Sequence, residues 1–118
     1  MKPRAKAWPP MRLLLDECVP ARLMRALPSH QVSTVPQEGW SGVKNGKLLA
    51  LAATKFEAFI TVDKNLPYQQ NTSTLPVAVF VLDALSNELP YLLPLVPVLE
   101  AALANHEPGS YVLLRAEA

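Results

Sequence analysis

Apolar residues in this chain fall into two kinds of stretch, and their alternation sets the expected architecture. Leu13-Leu14-Leu15, Phe59-Ile60-Thr61-Val62 and Val77 to Leu82 are runs with no regular polar alternation, the pattern of strands buried on both faces of a parallel sheet. The first strand is expected over Arg12 to Leu15, a second over Gln31 to Val35 and a last, at an edge, over Tyr111 to Leu114. Between them the apolar positions take helical spacing. Pro20 suits the first turn of a helix running to about Leu27, with Leu23, Met24 and Leu27 inward and Arg22 and Arg25 outward. Asn45 is a candidate cap for a helix from Gly46 to about Glu57, whose Leu48, Leu49, Ala52, Ala53 and Phe56 make one face.

The remaining segments read as connections and short helices. Pro36 to Gly46 is a loop with Gly39, Gly42 and Gly46 around Trp40, and Lys64 to Thr74 is polar, a loop or short helix. Asn87 to Leu93 and Pro97 to Asn105 read as two helices punctuated by Pro94, and Pro108-Gly109 turns the chain into the last strand. Strands alternating with helices predict an α/β layer with a largely parallel sheet, its first four strands in the order 2-1-3-4.

Two carboxylates stand where such a sheet gathers ligands. Asp16 follows the first strand and Asp63 the third, and open α/β sheets bind ligands beyond the carboxyl ends of their strands. On adjacent strands, about 4.8 Å apart, two such carboxylates repel unless they share a proton or hold a cation. A divalent metal site is the chemistry this placement invites.

Composition narrows the setting. A chain of 118 residues, half of them hydrophobic, makes one domain. The first ten residues, with three of the eleven Lys and Arg and three prolines, read as a tail, leaving residues 11–118 as the single domain. A net charge of +1 provides no global field for nucleic acid, although an acidic metal site that processes RNA needs only local basic contacts. The lone Cys18 precludes an intramolecular disulfide and fits a reducing cytosol. The N-terminus lacks an apolar segment of signal-peptide length, and Leu89 to Leu103 is too short and too broken by Pro90, Pro94, Pro97 and Glu100 to span a bilayer. A cytoplasmic protein with no membrane partner is expected.

Several phrases carry a family likeness. Leu14-Leu15-Asp16-Glu17-Cys18-Val19-Pro20 and Ile60-Thr61-Val62-Asp63-Lys64-Asn65 resemble the strand-end motifs of PIN-like domains. Gly39-Trp40-Ser41-Gly42-Val43-Lys44-Asn45-Gly46, followed by Leu48-Leu49-Ala50-Leu51-Ala52, completes the resemblance, which runs from about Arg12 to Leu82. It points to a small PIN-like family related to the ribonuclease toxins of bacterial toxin–antitoxin pairs. The resemblance implies a three-layer α/β/α Rossmann-like fold, Mg²⁺ or Mn²⁺ held by acidic side chains, and phosphodiester hydrolysis in RNA. It also implies a small antitoxin protein as partner and a homodimer.

Carried over to this chain, Asp16 and Asp63 would be the catalytic metal ligands. The family pattern also has an acid at the start of the middle helix, where this chain has Asn45, Gly46 and Lys47. Asn45 would offer a neutral oxygen, with Glu17 or Asp83 as the acids that could fill the gap. Lys64, Asn65, Lys44 and Lys47 would meet the RNA backbone, and Trp40 or Tyr68 would stack a base.

Each of these residues has a plainer reading. Asp16 can cap the helix after it, Asp63 can cap a turn through Asn65, and Glu17 can be a solvated helix-start acid. Trp40 can anchor its loop over the sheet edge, and Cys18 can be a small buried apolar group. His30 and His106 lack the spaced partners of a zinc site, and the three loop glycines do not follow a strand at nucleotide-motif spacing. Two functions therefore compete: a metal-dependent ribonuclease of the toxin type, and a PIN-like module that binds or regulates without cutting. A receiver-like phosphate-binding domain is weaker, since no Lys follows Leu82-Asp83 at the end of the late strand.

Overall fold

A computed structural model describes residues 11–116, and the expected N-terminal tail lies outside the described residues. The described residues form five strands, β1 (Arg12–Leu15), β2 (Gln31–Thr34), β3 (Ala58–Thr61), β4 (Ala78–Asp83) and β5 (Tyr111–Arg115). Four α-helices lie between them, α1 (Asn45–Ala53), α2 (Leu66–Gln69), α3 (Leu89–Leu92) and α4 (Val96–Ala104). The strands make one sheet in the order β2-β1-β3-β4-β5. Every pairing is parallel, with Leu15 opposite both Thr34 and Ile60 and Asp83 opposite Arg115. The 2-1-3-4 order thus extends to β5, which forms the far edge.

Alternation along the strands divides the core into two clusters. Leu13, Leu15, Ala58, Ile60, Phe80 and Leu82 pack with Leu92, Leu95, Leu99 and Leu103 from the α3–α4 segment. Leu14, Phe59, Val79 and Val81 pack with Leu48, Leu49 and Ala52 of α1 and Leu66 of α2. Burial on both sides explains why the strands read as continuous apolar runs.

The helices depart from expectation in their details. Ala21–Ala26 is a 3₁₀ helix rather than an α-helix, a form suited to a short segment closed off by Pro20 and Pro28. Its Leu23 and Leu27 are still buried and its arginines exposed. Helix α1 stops at Ala53, earlier than expected, where the Thr54 hydroxyl donates to the Leu51 carbonyl at 2.6 Å. Asn45 does not cap it. Lys44 holds the extended cap position, makes no side-chain cap bond, and Asn45 is the first helical residue. Pro94 does not separate the late helices widely, because a 3₁₀ turn over Leu93–Leu95 joins α3 to α4.

Among the described residues no helix is long and apolar enough to cross a membrane. The turn into β5 depends on Gly109, at φ +73°, where an added Cβ would lie 2.8 Å from the Leu75 carbonyl oxygen. Gly109→Ala is expected to lower stability by more than about 1 kcal/mol, read as an earlier urea midpoint at unchanged m-value.

Candidate functional site

The parallel ladder between β1 and β3 brings the two aspartates to one edge. Beyond the Leu15–Ile60 pair, the Asp16 amide donates to the Ile60 carbonyl at 2.9 Å, so β1 stays attached to β3 through Asp16. Thr61, fully buried at the end of β3, donates its hydroxyl proton to Asp16 Oδ2 at 2.7 Å. The same oxygen of Thr61 accepts the Asp63 backbone N–H at 3.0 Å. A single hydroxyl therefore ties the Asp16 carboxylate to the backbone of Asp63.

The two carboxylates differ in surroundings. Asp16 is 8% exposed; its Oδ1 accepts the Glu17 N–H at 2.8 Å and its Oδ2 also faces the Cys18 thiol at 3.6 Å. Asp63 is half-buried, and its Oδ1 accepts the Asn65 N–H at 2.9 Å, an Asx turn that starts the segment leading into α2. Of the plainer roles, that of Asp63 is present, since it caps its turn through Asn65, whereas Asp16 accepts from the adjacent Glu17 amide and does not cap the following helix, whose cap position is Pro20 with no side-chain bond. A carboxylate has about four acceptor positions, so these bonds leave capacity on both side chains.

The other sequence-selected residues are distributed around this edge. Glu17 is exposed and accepts the Gly42 N–H at 3.1 Å, clasping the glycine-rich loop. Asn45 donates to Gln69 Oε1 at 3.0 Å, joining the start of α1 to α2. Trp40 is half-buried, packs edge-on against Phe56 with centroids 6.2 Å apart, and lies under the Lys55 ammonium at 5.9 Å. That is the arrangement of an anchor. Tyr68 is 87% exposed, and Lys64 and Asn65 are exposed.

Asp83, an acid considered for the missing ligand, is already engaged. Its Oδ1 accepts from Lys64 Nζ at 2.9 Å and its Oδ2 from Arg115 Nε at 2.8 Å. The Arg115 bond, and then the Lys64 bond, hold its carboxyl below the ordinary range. Among the described residues no group of three His, Cys, Asp or Glu side chains is arranged to hold a metal ion.

No protein family, curated protein or solved structure matches this chain at a significant level. The chemistry of the edge therefore rests on its own residues. Cys18 is no candidate nucleophile, because burial pushes its thiol up from the ordinary value and keeps it protonated. His30 joins elements: its Nδ1 accepts the Met11 N–H at 3.3 Å and its Nε2 lies 2.7 Å from Glu100 Oε1 on α4.

Thr61 is the residue whose importance sequence reasoning missed, although a hydroxyl inside an otherwise apolar strand was a legible signal. Arg115 was missed as well. It follows a strand expected to end one residue earlier, and only the β4–β5 register brings it to Asp83.

Proposed function

We propose that this chain is a divalent-metal-dependent ribonuclease of the PIN-like toxin type, a three-layer Rossmann-like domain acting on RNA and restrained by a small antitoxin protein. The observation that carries this reading is the pairing of Asp16 and Asp63 at the carboxyl edge of neighbouring strands, joined through Thr61. The donor set suits Mg²⁺ or Mn²⁺ better than a dehydrated ion. Mg²⁺ retains several waters and takes one or two carboxylates plus substrate phosphate, and two aspartates with acceptor capacity are what this edge supplies.

Asp16 and Asp63 would hold the ion, with Asn45 and Glu17 as candidates for water-mediated contact. When bound, such an ion polarises a phosphoryl oxygen and activates water. The protein's own contribution is orientation. Thr61 and the Glu17 amide fix the Asp16 carboxylate, while the Asn65 amide fixes that of Asp63. Lys64, next in chain to Asp63, would meet the RNA backbone, with Asn65 beside it and Tyr68 offering an exposed ring.

A second reading, a PIN-like module that binds or regulates without cutting, is favoured by one observation. Asn45, where the family pattern has an acid, is neutral and bonded to Gln69. Calorimetric titration of the purified chain with Mg²⁺ and with Mn²⁺ separates the two. The nuclease reading expects single-site binding that disappears in Asp63→Asn, and no heat at any workable metal concentration would overturn it.

A further inference from the structure

Towards the β5 edge of the sheet, the structure assembles a group that the acidic pair does not use. Asp83 and Arg115 are cross-strand partners at the carboxyl ends of β4 and β5, and Lys64 closes on the same carboxylate from the start of the α2 segment. The side chains of Lys64 and Arg115 nevertheless remain 55% and 72% exposed. Arg115 bonds Asp83 through Nε, which leaves the outer guanidinium nitrogens as donors, and Lys64 directs one of its three N–H groups there. One carboxylate thus positions two cations without exhausting their donors, and the group carries a net positive charge.

Apolar and aromatic surface adjoins these cations. Tyr111, Leu113 and Arg115 alternate onto one face of the edge strand β5, and Leu113 is exposed. The exposed Tyr68 ring lies on α2, four residues after Lys64, in a turn closed by the bond from the Tyr68 amide to the Asn65 carbonyl at 3.0 Å. Ordered cations beside an open aromatic ring are the elements of a single-strand binding surface: the cations meet phosphates and the ring stacks a base.

We infer that Lys64, Arg115 and Tyr68 form a track for single-stranded RNA, leading from the acidic pair across β4 to the β5 edge, with Asp83 as the positioning residue for its two cations. The inference rests on the ribonuclease reading for its choice of polymer, and charge complementarity argues for it. Lys64 adjoins Asp63 in the chain, so a strand held here passes the paired carboxylates.

The test is fluorescence-anisotropy binding of a short labelled oligouridylate to the full-length chain, in EDTA, over a range of salt concentrations. Omitting metal keeps this result separate from the metal titration: a failed titration with intact binding here removes the nuclease reading alone. Lys64→Gln and Arg115→Gln are each expected to reduce the slope of log affinity against log salt by about 0.7, the value for one phosphate contact on a single strand. Arg115→Lys should retain the slope. Tyr68→Ala should weaken binding about tenfold with the slope unchanged. Arg22→Gln, an exposed cation on the 3₁₀ helix, is the control, and circular dichroism verifies folding of each variant. An unchanged slope in the Lys64→Gln, Arg115→Gln double variant would overturn the inference. So would an equal loss in Arg22→Gln, or tighter binding of a polyglutamate peptide than of RNA, which would identify a surface for an acidic protein.

Discussion

Asp16→Asn is expected to destabilise the metal-free protein by about 1–3 kcal/mol, whereas Asp63→Asn should leave it unchanged within about 0.5 kcal/mol or raise its stability. Both should abolish divalent-cation binding. The asymmetry comes from Thr61. Its oxygen accepts the Asp63 N–H, and its proton goes to Asp16 Oδ2. An asparagine at position 16 can still accept the Glu17 N–H with its carbonyl oxygen. Its amide nitrogen then faces the Thr61 oxygen, and a fully buried hydroxyl proton loses its carboxylate acceptor. The thiol of Cys18, 3.5 Å away, is a poor replacement.

At position 63 the substitution is mild, because asparagine makes the same turn to the Asn65 amide. Neutralising one carboxylate also relieves the repulsion between two like charges at one edge. Urea unfolding in EDTA measures the stability difference and calorimetry the metal binding. A large loss of metal-free stability in Asp63→Asn would show that the charge of the Asp63 carboxylate stabilises the metal-free fold, and the repulsion argument would fall.

The same residues indicate how far the sequence could be read. Leu13 to Leu15, Phe59 to Val62 and Val77 to Leu82 lie on or within a residue of β1, β3 and β4, because strands buried on both sides leave an unbroken apolar signal. The strand order followed from connection rules, and with it the placement of Asp16 and Asp63 at one edge. Helix boundaries were less legible. The 3₁₀ helix at Ala21–Ala26 buries Leu23, and Leu27 at its C-cap is buried too, as along an α-helix, so side-chain spacing alone could not distinguish the two. The early end of α1 depends on a local hydroxyl bond from Thr54, and the apolar Phe56 beyond it serves Trp40 rather than the helix face. Contacts that join distant segments were hidden for a different reason. Gly42 with Glu17, Asn45 with Gln69 and Arg115 with Asp83 are products of tertiary closure, and no local pattern announces them.

Asn45→Asp is the substitution expected to raise activity. Helix α1 begins at this residue, has no side-chain cap bond and has no acid in its first turn. A carboxylate there opposes the positive end of the helix dipole and should add about 0.3–1 kcal/mol of stability. The bond to Gln69 can survive the change, because rotation of the Gln69 amide presents a donor to the new acid. Asn45 opens the helix that returns the chain to β3, so its position is at the carboxyl edge of the sheet, the edge that carries Asp16 and Asp63. A third negative ligand should tighten Mg²⁺ or Mn²⁺ binding by about tenfold or more and increase cleavage of single-stranded RNA in parallel. The measurements are metal affinity by calorimetry and cleavage of a labelled RNA across Mg²⁺ and Mn²⁺ concentrations. Cleavage absent from both the parent chain and Asn45→Asp would establish the non-cutting module. Cleavage persisting in Asp16→Ala and Asp63→Ala would belong to a contaminating nuclease, and the acidic edge would then lose its assignment as the reaction centre.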